Sequence, residues 1–167
     1  MTNSSASLEA DYDNATLEND RVLKAVYERY KDREALLIYV ADHGEEVYDG
    51  SIGMFGRNHM AKPTPAIMWA EFEVPLEIIL TPALQKARPW IKHALMAAQE
   101  KPFGTDDISH MVLRLGGVKT NYYDSKRDLL APDFQRRQRP VKNGAVTYEE
   151  LMKSRLAKQN RNCNEQK

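Results

Sequence analysis

The chain has 167 residues, 42% of them hydrophobic, and its 24 basic residues balance its 24 acidic ones. This length suits one domain or part of one, and the hydrophobic content excludes a wholly disordered chain. A formal net charge of zero gives no support to a nucleic-acid partner or an anionic membrane surface. The single cysteine, Cys163, excludes a disulfide framework and a cysteine-based zinc module.

The first third of the chain predicts a helix followed by a strand. Residues 1–10 are small and polar and predict a loose start. From about Asp13 apolar residues recur at helical spacing as far as Tyr30, with Asp13 or Asn14 as the cap. The run from Ala35 to Val40 is apolar without alternation, which favours a strand buried on both faces, as in a parallel sheet covered by helices.

A long connection and a second α/β segment follow. Residues 43–66 hold four glycines and two prolines and predict an extended loop, and such loops are often functional. The segment "FEVPLEIILT" (72–81) predicts a second strand with Pro75 at an edge or bulge. Thr81 or Pro82 then begins a helix that is predicted to continue through Ala98.

The last third predicts a short helix and little further regular structure. In "GTDDISHMVLRLGG", Thr105 or Asp106 is the predicted cap and Gly116–Gly117 the stop. Residues 120–134 predict irregular, partly buried chain, and residues 147–158 a last helix. The predicted organisation is a loose amino terminus (1–10), one domain body (11–140), and a helix with a disordered tail (141–167).

The best candidate site follows the first strand, in "LLIYVADHGEEVYD" (36–49). Ligands of open α/β sheets bind beyond the carboxyl ends of the strands, where Asp42 and His43 stand. Gly44 would permit a sharp bend, and a carboxylate and an imidazole are ordinary zinc ligands. Within this chain His59, in the same glycine-rich loop, is the best candidate for a further ligand. The alternative is that Asp42 caps a turn and His43 is a surface residue.

Other charged and histidine positions carry weaker signals. Glu45, Glu46 and Asp49 read as a solvated acidic rim, or as groups that orient a metal-bound histidine. His93 and His110 lie on predicted helices, where histidines are usually structural partners.

Several segments together resemble a known family. "YVADHGEEVYD" resembles the signature of the sulfatase-like branch of the alkaline phosphatase superfamily, and is most similar to that of bacterial phosphoethanolamine transferases that modify lipopolysaccharide. "ADYDNATLENDRVL", "FEVPLEIILTP" and "TDDISHMVLRLGGVKT" with "YYDSKRDLLAPDF" resemble further family segments, in order, over roughly residues 11–140. The resemblance implies the C-terminal part of a sulfatase-like α/β sandwich, with helices on both faces of a mostly parallel sheet.

The resemblance also implies a zinc site and its chemistry. Asp42 and His43 match the family's zinc ligands, and His59 matches a histidine that contacts the phosphoryl group or a second zinc. Arg57 is a further candidate for phosphate charge, from guanidinium chemistry alone. The implied partners are phosphatidylethanolamine as donor and lipopolysaccharide core or lipid A as acceptor.

The family's threonine nucleophile and remaining ligands find no match in this sequence, so we expect the chain to be inactive alone. The family has transmembrane helices and a periplasmic catalytic domain. This sequence shows neither a signal peptide nor an apolar run that would span a bilayer, so as written it is expected in the cytoplasm. Two alternatives stay open: a fragment of a sulfatase or phosphodiesterase, and a half-domain that binds a separately encoded amino-terminal half.

Overall fold

The structure is a computed structural model that describes residues 3–48, 53–57, 64–141, 144 and 146–153. The chain divides into two compact units. Unit 1 comprises Met1–Arg29, Ile38–Ile78 and Pro140–Lys167, and unit 2 comprises Tyr30–Leu37 and Ile79–Arg139. No helix within the described ranges is long and apolar enough to cross a membrane.

The described residues form five α-helices, one further helical segment and six short strands. The helices are α1 (Asn3–Tyr30), α2 (Pro65–Phe72), α3 (Pro82–Ala87), α4 (Pro89–Ala98) and α5 (Ile108–Leu115), the last preceded by a 3-10 turn (Thr105–Asp107). The strands are β1 (Leu36–Val40), β2 (Glu46–Val47), β3 (Phe55–Gly56), β4 (Leu76–Leu80), β5 (Pro140–Val141) and β6 (Val146–Thr147). Residues 148–153 are also helical, within the predicted last helix.

The first helix is longer than predicted. α1 begins at Asn3, so the loose start predicted for residues 1–10 is wrong from that residue onward. The first ten residues contain neither glycine nor proline, so nothing in the backbone chemistry stops the helix from extending to the amino end. The predicted end at Tyr30 is confirmed.

The two predicted strands are confirmed as β1 and β4, which pair with each other. The N–H of Thr81 donates to the carbonyl of Ala35 (3.1 Å), so the end of β4 lies beside the start of β1 and the pair runs antiparallel. The unbroken apolar run of β1 favours a strand in a mostly parallel sheet, and one antiparallel neighbour is compatible with such a sheet. Its side chains are only partly buried in the structure, and apolar content alone does not separate the two environments.

Thr81 ties this strand pair together at its unit 2 end. Its buried hydroxyl donates to the carbonyl of Arg33 (2.6 Å) and accepts from the N–H of Ala35 (3.0 Å). The same oxygen accepts from the N–H of Leu84 (3.3 Å) and so caps α3, as the sequence predicts.

Regular structure interrupts the loop predicted for residues 43–66. β2 and β3 form an antiparallel ladder in which Glu46 faces Gly56, and α2 follows. Thr64 caps α2 by accepting from the N–H of Ile67 (3.3 Å), with Pro65 in the first turn. The strands are too short to produce a readable alternation, which is why the pattern predicts only a loop.

Unit 1 has a small hydrophobic core around α2. Met68 is completely buried and clusters with Val141 and Met152, and Val146, Tyr148 and Leu151 pack against this cluster. Tyr148 also donates a hydrogen bond to the carboxylate of Glu73, just after α2. Val141 and residues 146–153 therefore contribute to the core of unit 1, although the sequence predicts them as part of a separate carboxyl-terminal segment.

The helix predicted from Pro82 to Ala98 is two helices. Arg88 separates α3 from α4 with φ −135° and ψ 66°, outside the helical region. Because Pro89 follows, its ring disfavours the helical conformation at Arg88 and removes one backbone donor. The proline therefore marks the boundary in the sequence.

The acidic pair before α5 does not cap the helix. Neither Asp106 nor Asp107 is observed as a side-chain cap; both carboxylates instead bind arginines from the segment that follows α5. Asp107, 1% exposed, accepts from Arg127 Nε (2.7 Å) and from Arg137 Nε (3.0 Å) and Nη2 (2.9 Å). The predicted stop is confirmed, because Gly117 adopts φ 66° and the N–H of Val118 donates to the carbonyl of Leu113 (2.9 Å).

We predict that Asp107→Asn destabilises the protein by about 2–4 kcal/mol, because it leaves two arginines beside a neutral, buried side chain. Burial raises the pKa of Asp107, but hydrogen bonds and charge from Arg137 and Arg127 outweigh it and hold that pKa below its usual range. The stabilisation is therefore complete above about pH 4 and declines as the pH falls through the lowered pKa.

Urea unfolding of both proteins between pH 7 and pH 2 measures this difference. Asp106→Asn is the matched control, because Asp106 binds the same two arginines but is 62% exposed. We expect the control to lose less than about 1 kcal/mol. Equal losses for the two variants would contradict the central role of Asp107.

Candidate metal centre

Asp42 and His43 directly follow the first strand of the fold. β1 ends at Val40, and the chain turns within unit 1 over the next few residues. The side chain of Asp42 is 88% exposed and that of His43 is 32% exposed. Both functional groups are therefore accessible to a ligand, as the sequence predicts for the end of this strand.

Backbone contacts orient both side chains. The N–H of His43 donates to Oδ1 of Asp42 (3.1 Å). The second oxygen of that carboxylate, Oδ2, does not take part in this hydrogen bond. Nδ1 of His43 lies 3.1 Å from the carbonyl oxygen of Gly44. Because a carbonyl oxygen only accepts, Nδ1 carries a proton, and in the neutral imidazole Nε2 then presents its lone pair.

The two remaining atoms are spaced as a metal requires. Nε2 of His43 lies 3.6 Å from Oδ2 of Asp42. Zinc ligands at about 2.0–2.2 Å in tetrahedral geometry lie about 3.3–3.6 Å from one another. A ligating histidine also commonly donates its other ring N–H to a backbone carbonyl, as His43 does to Gly44. The pair therefore fits two positions of a zinc site.

Gly44 is required in this turn for a reason that differs from the predicted one. Its φ is not in the left-handed region, so the expected backbone bend does not explain the glycine. Its N–H donates to the carbonyl of Glu71 (3.0 Å), and an added Cβ would lie 2.0 Å from the carbonyl oxygen of Ala70. Only a residue without a side chain allows this close approach to the end of α2.

The acids after Gly44 are not a uniform solvated rim. Glu46 is completely buried in β2, which contradicts the solvated rim for that residue but not its alternative role beside a metal-bound histidine, and Glu71 in α2 is also buried. Glu45 instead lines an open cavity of about 350 Å³ together with Trp69 and Glu73. Two-residue strands give no alternation from which the burial of Glu46 could have been predicted.

The other predicted site residues separate into three groups. His59 and Asp49 lie outside the described residues, so the predicted role of His59 stays a prediction. Arg57 is exposed after β3. His110 is buried and its Nδ1 accepts from the N–H of Asp124 (3.1 Å), which confirms a packing role, whereas His93 is exposed on α4.

Within the part of the chain that the structure describes, no group of three or more histidine, cysteine or acidic side chains is placed to hold a metal. Asp42 and His43 are thus a pair to which further ligands must be added. A zinc site normally has at least three protein ligands.

A family model for sulfatases matches residues 2–118, which include both of these residues. The chain belongs to the sulfatase family. This match covers α1 through α5, so these helices are parts of the family's fold rather than additions to it.

Curated relatives are phosphoethanolamine transferases. EptC of Escherichia coli (strain K12) is 26% identical over 148 residues, which cover 84% of this chain and 24% of the relative. EptA of the same strain is 26% identical over 71% of this chain and 22% of the relative. CptA of Salmonella typhimurium (strain LT2) is 29% identical over 84% of this chain and 24% of the relative. The chain spans about a quarter of the length of these relatives.

A solved structure of the C-terminal periplasmic domain of EptC from Escherichia coli has the same fold. Its TM-score is 0.75 at 24% identity, over 93% of this chain and 44% of that chain. A second structure of that domain, a complex with zinc, has a TM-score of 0.74 over 92% and 43%. These matches confirm the predicted sulfatase-like α/β fold.

We predict that Gly44→Ala displaces the Asp42–His43 turn, because its Cβ would overlap the carbonyl oxygen of Ala70. The expected loss is about 1–3 kcal/mol of unfolding free energy, as for other overpacked sites. Gly116→Ala is the matched control, since its φ of −78° suits alanine and its nearest contact is 3.3 Å. Thermal unfolding of both variants measures the difference, and equal midpoints would contradict the role of Gly44.

Proposed function

We propose that this chain carries the carboxyl-terminal part of the active site of a zinc-dependent phosphoethanolamine transferase, with Asp42 and His43 as zinc ligands. The main support is the 3.6 Å pairing of Nε2 with Oδ2 directly after β1. The same turn lies within the segment that matches the sulfatase family, and three relatives are named as phosphoethanolamine transferases.

Each residue of the turn has a defined task in this proposal. When bound, zinc lowers the pKa of a coordinated hydroxyl and offsets negative charge on phosphoryl oxygens. Asp42 supplies an anionic oxygen and His43 a neutral nitrogen whose tautomer is set by the carbonyl of Gly44. His59 is proposed to contact the phosphoryl group.

The proposed substrates are inferred from the relatives and not from the geometry of the site. The donor is phosphatidylethanolamine, and the acceptor is lipopolysaccharide core or lipid A. The family model alone fits a sulfatase or phosphodiesterase equally well, and the curated relatives favour the transferase. The solved relative is a periplasmic domain, so we propose the same location for this domain, and the expected cytoplasmic location has no support from the comparisons.

Three of the chain's seven threonines already have structural contacts, which agrees with a division of the active site. The hydroxyl of Thr16 donates to the carbonyl of Tyr12 (3.0 Å), Thr64 caps α2, and Thr81 is buried between β1 and α3. Each of these hydroxyls thus has a structural task. We propose that the nucleophile and the remaining ligands come from the amino-terminal part of the sulfatase domain, in the same polypeptide or in another.

Zinc binding tests the ligand assignment. We predict that Asp42→Ala and His43→Ala each weaken zinc binding by about tenfold or more, measured by competition with a fluorescent zinc chelator. Asp20→Ala and His93→Ala are matched controls, because they remove an exposed acid and an exposed histidine from helices. Unchanged affinity in the first two variants, or an equal loss in the controls, would remove Asp42 and His43 from the site.

Activity tests the proposed division. The purified 167-residue chain should transfer no phosphoethanolamine and hydrolyse no phosphodiester with zinc present, because it lacks the proposed nucleophile. Joining it to the amino-terminal part of the Escherichia coli EptC periplasmic domain should give zinc-dependent transfer that Asp42→Ala abolishes. Turnover by the chain alone would show that the nucleophile lies within it.

A further inference from the structure

An open cavity of about 400 Å³ lies beside the carboxyl end of α5, within unit 2. We define the α5 cavity by six of its lining residues: Leu113, Arg114, Val118, Lys119, Thr120 and Tyr123. Two of these side chains are aliphatic and two are basic, and no acidic residue from the described part of the chain lines the cavity. The α5 cavity therefore combines positive charge with an apolar wall.

Neighbouring side chains hold the guanidinium of Arg114 in one orientation. Its Cζ lies 5.8 Å from the ring centroid of Trp90, and its Nη1 lies 3.5 Å from the hydroxyl of Tyr123. That hydroxyl donates to Oδ2 of the buried Asp128 (2.8 Å), and Nε of Arg114 lies 3.7 Å from the same oxygen. The guanidinium is thus oriented before any ligand binds, which lowers the entropic cost of binding.

These contacts leave much of the hydrogen-bonding capacity of Arg114 unused. Its Nε is shielded from solvent and has no hydrogen-bond partner within the described residues, because 3.7 Å to Asp128 is too long for a hydrogen bond. A guanidinium carries five N–H donors, and its contact with Tyr123 uses one of them. The side chain of Arg114 is 33% exposed, so an acceptor in the α5 cavity can reach its Nη groups.

Lys119 and Thr120 add two further donors. Within the described residues, the ammonium of Lys119 makes no hydrogen bond or ion pair. Oγ1 of Thr120 accepts from the N–H of Tyr122 (3.3 Å), which leaves the proton of that hydroxyl able to donate. A guanidinium, an ammonium and a hydroxyl are donors well suited to phosphate oxygens.

The carboxyl end of α5 does not oppose an anion in this cavity. Terminal carbonyls give the end of a helix a partial negative charge when they have no partner. The carbonyls of residues 112–114 each accept a hydrogen bond from an N–H group of residues 116–118, at 2.9–3.0 Å. These bonds offset the partial charge, so the two basic side chains determine the sign of the potential in the cavity.

We propose that the α5 cavity binds a phosphate monoester carried on an apolar body. Arg114 and Lys119 complement the charge of the phosphate, and Leu113 and Val118 contact the apolar body. The buried carboxylate of Asp128 offsets part of the charge of Arg114, so Lys119 supplies most of the net positive charge. Neither an uncharged amphiphile nor a free inorganic ion uses both halves of this cavity.

This inference does not depend on the proposed zinc site. The α5 cavity lies in unit 2, whereas Asp42 and His43 lie in unit 1. Residues 119–123 of the cavity also follow residue 118, where the match to the sulfatase family model ends. The test is therefore done with a zinc chelator present and without an activity readout, so that its failure and that of the proposed function are separate results.

The fluorescence of Trp90 measures binding directly. The chain has two tryptophans, so Trp69→Phe leaves Trp90, which contacts Arg114, as the single emitter. The full chain with this change is titrated with hexyl phosphate, inorganic phosphate and hexanol. We expect hexyl phosphate to bind about tenfold or more tightly than inorganic phosphate, because burial of two methylene groups already gives that factor. Hexanol should not bind at the same concentrations.

Two pairs of variants locate the contacts. Lys119→Ala should weaken the binding of hexyl phosphate by about tenfold, since it removes a charge-assisted hydrogen bond. Lys126→Ala is the matched control, because it removes an exposed lysine outside the cavity lining. Val118→Ser should weaken the binding of hexyl phosphate and leave that of inorganic phosphate unchanged. Val112→Ser is its control, since Val112 is 45% exposed and Val118 52%, but Val112 does not line the cavity.

A further titration distinguishes two sources of the ligand. Phosphatidic acid in detergent micelles carries the same phosphate monoester on a lipid. Binding of both compounds would support a lipid ligand, and binding of hexyl phosphate alone would support a soluble ester.

Four results would overturn the proposal. The first is the absence of saturable binding, and the second is equal affinity for hexyl phosphate and hexanol or for hexyl phosphate and inorganic phosphate. The third is an equal loss in Lys119→Ala and Lys126→Ala. The fourth is loss of binding when the chain is joined to the amino-terminal part of the Escherichia coli EptC periplasmic domain, which would show that the rest of such a domain covers the cavity.

Discussion

The close approach of Gly44 to the end of α2 determines the geometry of the candidate site. A hydrogen bond of 3.0 Å to Glu71 and the lack of a Cβ hold this residue against Ala70. The carbonyl of Gly44 in turn accepts a hydrogen bond from His43 Nδ1–H, so the position of the turn decides which imidazole nitrogen is presented. Backbone packing within unit 1 thus sets the orientation of the two candidate metal ligands.

The protein uses its carboxylates in two ways that burial separates. Asp107 is buried, its pKa is lowered chiefly by arginine hydrogen bonds that overcome desolvation, and its task is to hold the segment after α5. Asp42 is largely exposed, and one of its oxygens is directed by its neighbour's backbone while the other remains available. An exposed, oriented carboxylate is suited to binding a metal, whereas a buried and fully paired one is structural.

The sequence predicts the fold class and the position of Asp42 and His43 after β1, and both are found in the structure, whereas the ligand role of the two residues stays a prediction. The position could be predicted because a strand of strong apolar character ends directly before these residues. Pro89 signals the break between α3 and α4, but the helical spacing on both sides of it predicts one helix. α2 and the β2–β3 ladder were missed because eight-residue and two-residue elements give little periodicity. The close contact between Gly44 and Ala70 could not be predicted from the sequence, since the two residues are far apart along the chain.

The central proposal is that Asp42 and His43 bind the same zinc ion. A crystal of the zinc-loaded chain, joined to the amino-terminal part of the domain, measured at the zinc absorption edge tests it most directly. The account predicts an anomalous peak about 2.0–2.2 Å from both Oδ2 of Asp42 and Nε2 of His43, with Nδ1 still bonded to Gly44. A peak bound through Nδ1 of His43, or one that contacts neither residue, would contradict it.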